Sequence, residues 1–349
     1  MQKINNIIVN PINSDCSIIY AFRNGKFYII PNHLLYNKGE IVHRKEITVK
    51  TDTFKLLVES SYRKNCFNYE IIKSPIVLDL MVSNQCNLKC KYCIAYYGKS
   101  YSEKCTILDK DKQTLLTNNI IDSNVVSLLI SGGEPTLNPQ LPSFLKKISN
   151  TAILILLDTN GTIIQDDLMQ ILREHKVTLR ISLDSINKDI HNENRGLFDK
   201  TMENLDLFLK NSFDVRINTV LHKENFNQLT AVGNWLVKNK ILNWHIFKLQ
   251  KDFAPQSLWI NDDIAYNTIE SLKKAFNGRI NILCKFSKTN DGFASFVVDS
   301  EGNCFSSKKG EKVLFGNLFT ESLKEIWANT PLNFRISHCN KYLFNEGCV

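Results

Sequence analysis

Cys86-Asn87-Leu88-Lys89-Cys90-Lys91-Tyr92-Cys93 places three thiols on one short stretch with the spacing C-x3-C-x2-C. Three thiolates on such a loop can grip three corners of an iron–sulfur cubane. A cubane has four irons, so one iron keeps an open position, as a catalytic metal does for its ligand. Structural zinc is the competing reading. Zinc favours paired C-x2-C knuckles and four closed ligands, and here the fourth would have to be Cys105 or a more distant residue. The spacing alone favours iron–sulfur over zinc.

Ten cysteines in 349 residues frame this loop unevenly. Cys86, Cys90, Cys93 and Cys105 lie together, and Cys284, Cys304, Cys339 and Cys348 fall in the last quarter. Cys16 and Cys66 stand alone, as buried small hydrophobes do. The start, Met1-Gln2-Lys3-Ile4-Asn5-Asn6, lacks the apolar core and cleavage site of a signal peptide. A cytoplasmic location is therefore expected, where clustered cysteines bind metal more often than they form disulfides. Apolar runs such as Ala152–Leu157 are strand-sized, far short of a membrane span. Hydrophobic residues at 43 % and charged residues at 22 % exclude a disordered chain. The net charge of +8 reads either as a solvated basic surface or as complementarity to an acidic partner. Its lysines and arginines are dispersed, which argues against a nucleic-acid tail. The end at Gly347-Cys348-Val349 is abrupt, and a longer parent chain fits it.

The elements that must position the loop fall into three zones. Residues 1–75 contain Ser17–Phe22 and Lys26–Ile30 around Asn24-Gly25, a hairpin signal. A helical stretch over 53–65 carries Phe54, Leu57, Val58 and Tyr62 on one side. Residues 76–250 alternate strands (76–82, 125–131, 152–158, 177–183, 214–221, 244–249) with helices (109–119, 139–149, 164–174, 199–211, 225–239). The strands are rich in Val, Ile and Leu, as parallel strands buried on both faces should be. Six β–α units predict an α/β fold, a partial (β/α)6 TIM-like barrel, although a doubly wound open sheet has the same pattern. Residues 251–349 contain a helix over 262–277, a strand pair over 294–305 turning at Ser300-Glu301-Gly302-Asn303, and a helix over 321–328. The cysteine loop directly follows the first barrel strand, on the C-terminal rim where barrels build their sites.

With Tyr92 before its last cysteine, the loop resembles the signature of the radical S-adenosylmethionine (SAM) superfamily. The resemblance implies a [4Fe-4S] cluster on Cys86, Cys90 and Cys93 whose open iron is chelated by SAM. Reductive cleavage of SAM would then give a 5′-deoxyadenosyl radical that abstracts hydrogen from a substrate, with electrons from a donor such as flavodoxin or ferredoxin. Further strand-end motifs match in order. Ser131-Gly132-Gly133-Glu134-Pro135 is similar to the family's GGEP turn, which holds the SAM amino group. There the glycines would admit close backbone approach to the ligand and Glu134 would supply a carboxylate near the ammonium. Asp158-Thr159-Asn160-Gly161 resembles a turn beside the SAM pocket, and equally an ordinary Asn-Gly turn. Ser182 and Asp184, on one face by period two, resemble the polar pair near the SAM ribose or methionine. His191-Asn192-Glu193-Asn194-Arg195-Gly196 is similar to the H-D-x-x-R-G segment of peptide-modifying members, with Asn192 in place of aspartate. Arg195 would be the bidentate partner of the SAM carboxylate. Asn218 matches a polar position facing SAM, and Leu249 either flanks the adenine or packs in the core.

Beyond the barrel, Cys284, Phe296–Asn303, Gly316-Asn317-Leu318 and Ser322–Trp327 resemble the framework of a SPASM or twitch extension. The cysteine expected after the turn falls near Ser307, with Cys304 close by. Cys284, Cys304, Cys339 and Cys348 either close one auxiliary cluster or remain in a degenerate domain that has lost it. The resemblance points to a maturase-like enzyme acting on a peptide or protein, by crosslinking or side-chain oxidation. The alternatives are a radical SAM enzyme for a small molecule or nucleotide, and a non-enzymatic iron–sulfur or zinc protein. The amino-terminal module would then read a leader peptide through a sheet edge, or cap the barrel.

Overall fold

The computed structural model describes residues 4–22, 24–36, 45–61, 68–93, 109–148, 151, 153–285, 295–308 and 311–343. The first zone is a four-stranded antiparallel sheet of β1 (Ile4–Pro11), β2 (Cys16–Ala21), β3 (Lys26–Pro31) and β4 (Lys45–Lys50), in the order β3-β2-β1-β4. Gly25 takes φ 68° in the β2–β3 turn, the left-handed conformation for which glycine is suited. Alternation sends the strands' side chains to opposite faces. Ile7, Val9, Ile19, Ala21 and Ile30 pack with Phe54 and Leu57 of helix α1 (Thr51–Glu59). Ile8, Ile18, Tyr20, Phe27 and Ile29 join the main core instead. Both faces are thus covered. Tyr62 and Cys66 lie outside the described residues, as do Cys105 and Cys348.

The second zone forms β5 (Val77–Ser83), β6 (Ser127–Gly132), β7 (Leu154–Thr159), β8 (Thr178–Ser182), β9 (Val215–Leu221) and β10 (Asn243–Lys248), all parallel and paired in sequence order. The helices between them are α2 (Lys110–Ser123), α3 (Leu141–Ile148), α4 (Asp166–Glu174), α5 (Lys188–Asn194), α6 (Phe198–Lys210) and α7 (Leu229–Lys238). Leu141, Phe144, Leu145 and Ile148 of α3 show why these stretches are helical: their spacing puts one continuous apolar stripe on the sheet. Sequential order is that of a partial barrel rather than a doubly wound sheet, whose strand order reverses. The short α5 is absent from the sequence reading, because seven polar-rich residues carry no apolar period.

The third zone does more than follow the barrel. After α8 (Asp262–Ala275), β11 (Asn281–Lys285) adds in parallel beside β10. β12 (Phe296–Val298) adds in parallel beside β5, and β13 (Asn303–Lys308) and β14 (Glu311–Asn317) extend that edge antiparallel. The six expected strands therefore sit within an open ten-stranded sheet. Helices α9 (Leu323–Asn329) and α10 (Leu332–Leu343) close this side. Trp327 and Phe334 pack edge-on around Phe296, and His338 Nε2 accepts the Ile76 N–H at 3.0 Å just before β5.

The first sheet sits at the barrel's N-terminal rim. Buried Arg216 donates to the Tyr20 hydroxyl and pairs with Asp214 at 3.1 Å. A methyl group placed on Gly25 would lie 3.3 Å from Arg216 Nη1 and 3.5 Å from Asn243 Oδ1. The opposite, C-terminal rim carries the cysteine loop.

Candidate active site

The loop leaves β5 and keeps Cys90 buried, Cys93 half-buried and Cys86 exposed. The Leu88 N–H donates to Cys86 Sγ at 3.4 Å, and the Cys93 N–H to the Cys90 carbonyl at 3.2 Å. Two neighbouring loops hold it. The Lys91 N–H donates to the Asn194 carbonyl at 3.0 Å, and Lys91 Nζ pairs with Glu193 at 2.9 Å. Asn87 donates to Thr162 Oγ1 at 2.8 Å and accepts from Asn160 Nδ2 at 2.9 Å. Asn87 was not singled out from sequence, although its place inside the cysteine loop was the available signal.

The two glycines of Gly132-Gly133-Glu134 approach protein backbone. A Cβ on Gly132 would lie 2.1 Å from the Ser83 carbonyl oxygen, and one on Gly133 2.0 Å from that of Gln85. The Gly133 and Glu134 N–H groups donate to those same carbonyls at 2.8 and 2.6 Å. The close approach expected toward a ligand is thus made to the segment that launches Cys86. We expect Gly133→Ala to lose most bound iron and SAM cleavage, because only backbone can give way. Iron per chain after anaerobic reconstitution checks this, and wild-type iron in the variant would refute it.

Glu134 is also placed differently from the sequence expectation. Its side chain is 1 % exposed. Oε1 accepts from Thr136 Oγ1 at 2.7 Å and Thr159 Oγ1 at 2.6 Å, and Oε2 from the Asn160 N–H at 2.7 Å. Burial pushes its carboxyl up, and these donors pull against that. The carboxylate, through the Thr159 hydroxyl and the Asn160 N–H, fastens two strand-end turns together. Asn160 Oδ1 further accepts from the Thr162 N–H and Oγ1 at 2.9 and 2.7 Å.

The strand stops at Ser182, so its two-residue period does not extend to Asp184. Ser182 stays half-buried on the rim, in register with Asn218. Asp184 is fully buried. It takes Arg195 Nε on Oδ2 at 2.7 Å, with Nη2 3.3 Å from Oδ1, and accepts the Val220 N–H at 2.8 Å. The Nε/Nη2 edge of Arg195 is thus engaged by Asp184. Nη1 instead points to Cys90 Sγ at 4.0 Å. Burial pushes the Cys90 thiol up, and the Arg195 charge counters it, favouring the thiolate that metal binding needs.

The Arg195 guanidinium also lies 5.3 Å from the Tyr92 ring, and the His222 ring 5.6 Å from it. Tyr92 Oη and His222 Nε2 are buried with no hydrogen-bond partner among the described residues. His222, one residue past β9, gave no sequence signal because a lone histidine has no spacing. Leu249 and Leu258 pack with Cys90 and Tyr92. Inside the barrel, Asn218 donates to Asp158 Oδ1 at 3.3 Å and accepts from Arg180 Nε at 3.4 Å, while Arg180 pairs with Asp158 at 2.9 Å.

The donor set fits an iron–sulfur cluster: three soft thiols on one loop, with a guanidinium beside the buried one. Among the described residues no three Cys, His, Asp or Glu groups converge on an ion-sized point, and a cubane asks for wider spacing than a single ion. Cys284, Cys304 and Cys339 are each buried in the apolar core, on β11, β13 and α10. Burial pushes the Cys339 thiol up to about 12 and that of Cys304 higher still, as inert structural thiols behave.

Three cysteines on the C-terminal rim of an open parallel barrel stand where such barrels build their sites, on strand-end loops. Residues 80–236 match the family model of the Radical SAM superfamily, so this part of the chain carries a radical SAM domain. It is 26 % identical over 282 residues to an AdoMet-dependent heme synthase of Methanosarcina barkeri, covering 71 % of this chain and 80 % of that one. It is 23 % identical over 306 residues to the antilisterial bacteriocin subtilosin biosynthesis protein AlbA of Bacillus subtilis, covering 79 % of this chain and 64 % of AlbA. The crystal structure of Streptococcus suis SuiB bound to S-adenosylmethionine superposes with a TM-score of 0.69 at 16 % identity, over 96 % of this chain and 89 % of that one. SuiB bound to precursor peptide SuiA gives 0.68 at 17 % identity, over 93 % and 88 %. Among the described residues no helix is long and apolar enough to cross a membrane.

Proposed function

We propose that this chain is a cytoplasmic maturase that modifies a peptide or protein by hydrogen-atom abstraction. The observation that carries the reading is the extent of the likeness to SuiB, which runs through the first sheet and the C-terminal helices as well as the barrel. The names of SuiB's precursor peptide and of AlbA support a peptide substrate. Cys86, Cys90 and Cys93 would hold the [4Fe-4S] cluster, and SAM would sit beside it on the C-terminal rim. Together the two groups supply a carbon-centred radical when bound and reduced by a flavodoxin or ferredoxin. Arg195 balances charge at Cys90, and Asp184 fixes Arg195. Glu134, Thr159, Asn160 and Asn87 brace the loop. The half-buried rim residues Ser182 and Val220 remain to face a cofactor. Buried Tyr92, Leu249 and Leu258 form the apolar wall behind Cys90, which excludes water.

The second reading, a small-molecule substrate, is favoured by the heme synthase, whose match covers more of the relative's length. The test is anaerobic incubation of the reconstituted, reduced enzyme with SAM and a short peptide encoded beside it. Peptide-dependent release of 5′-deoxyadenosine, with loss of hydrogen mass from the peptide, is expected. If every co-encoded peptide is left unchanged while a small metabolite stimulates cleavage, the maturase reading fails.

A further inference from the structure

A second site lies on the opposite rim from the cysteine loop. The first sheet, the N-terminal edge of the barrel and the C-terminal helices meet around a cavity of about 500 Å³. Ser74 and Ile76 enter it just before β5, and Asn124 and Val126 just before β6. Ile12 and Ile18 come from the first sheet, and Trp327 from α9. That volume suits a ligand of small-molecule size, and much of the wall is aliphatic or aromatic.

Three cations line this cavity, Lys73, Lys324 and Arg335, and among the described residues no carboxylate does. None of the three has an ion-pair partner among the described residues. The Nε of Arg335 is buried and without a hydrogen bond among them. Arg335 as a whole is half-buried and lines the cavity, and a carboxylate matches a guanidinium fork. The lysines are exposed at the mouth, where they raise the local concentration of anions.

The geometry points to a binding site for a carboxylate carried on an apolar stem, with the anion on Arg335 and the stem against Trp327 and the isoleucines. The occupant touches all three parts of the chain, so its binding braces their assembly. Such a group arises on a free organic acid or on an acidic residue within an aliphatic peptide.

Calorimetric titration of the holoenzyme with 3-phenylpropionate, its neutral amide, and the capped peptide Ile-Glu-Leu tests the site. The acid should bind at least about tenfold tighter than the amide, as one charge-assisted contact allows. Arg335→Met should remove that preference, Arg335→Lys should keep part of it, and Lys324→Met should weaken it without touching the core. Tighter binding of the peptide than of the acid assigns the source to a peptide, and the reverse to a free acid. The inference is overturned if acid and amide bind alike, if Arg335→Met or Lys324→Met binds the acid as wild type does, or if none of the three probes binds at millimolar concentration. Basal SAM cleavage should be unchanged in all three variants, since the cavity is on the rim away from the cysteines.

Discussion

Cys93→Ala is expected to abolish SAM cleavage and to strip the chain of most of its iron. Two thiolates cannot hold a cubane that three are needed to fix. The loop offers no substitute: Cys86 and Cys90 are its other thiols, and the remaining described cysteines are buried elsewhere in the core. Reconstituted wild type should carry about four irons per chain, one cubane's worth, because Cys284, Cys304 and Cys339 are sealed among apolar side chains. Iron assay and 5′-deoxyadenosine release check both statements. A Cys93→Ala enzyme with full iron and turnover would remove the three-thiol site. Close to eight irons in wild type would require a second cluster on cysteines the core now hides.

The second large effect is expected at Asp184. Replacement by Asn keeps the shape and an acceptor for the Val220 N–H but leaves the Arg195 charge buried without its partner. Breaking a buried pair in this way costs about 3–5 kcal/mol. Asp184→Asn should therefore unfold at clearly lower denaturant and lose cluster occupancy, because Arg195 and the 193–195 segment that grips Lys91 are no longer held. Adding Arg195→Met should return part of the stability but not the activity. Non-additivity of the two substitutions is the readout. Wild-type stability in Asp184→Asn would show that the pair contributes nothing.

Much of the scaffold was legible because parallel strands buried on both faces read as Val/Ile/Leu runs, and the cysteine spacing placed iron–sulfur ahead of zinc. Individual roles were less legible. Sequence lists Glu134, Thr159, Asn160, Asp184 and Arg195 as polar groups at strand ends, but not which of them spend their hydrogen bonds on each other. A carboxylate such as Glu134 looks the same in sequence whether it meets a ligand or four hydroxyl and amide donors. The return of β11 and β12 to the sheet was hidden for another reason. Three residues of β12 hold no period, and their partner β5 lies more than two hundred residues earlier. The last-quarter cysteines were drawn toward metal by their number, and sequence does not show that those described lie buried on three separate elements.

β5 carries the cysteine loop, and its two neighbours differ greatly in age along the chain. β6 follows about fifty residues later, but β12 arrives only at Phe296–Val298. During synthesis the thiols therefore emerge long before the strand beneath them is flanked on both sides. Because chains grow from the N-terminus and long-range pairing is slow, β5 gains its second neighbour only after the whole barrel has been made.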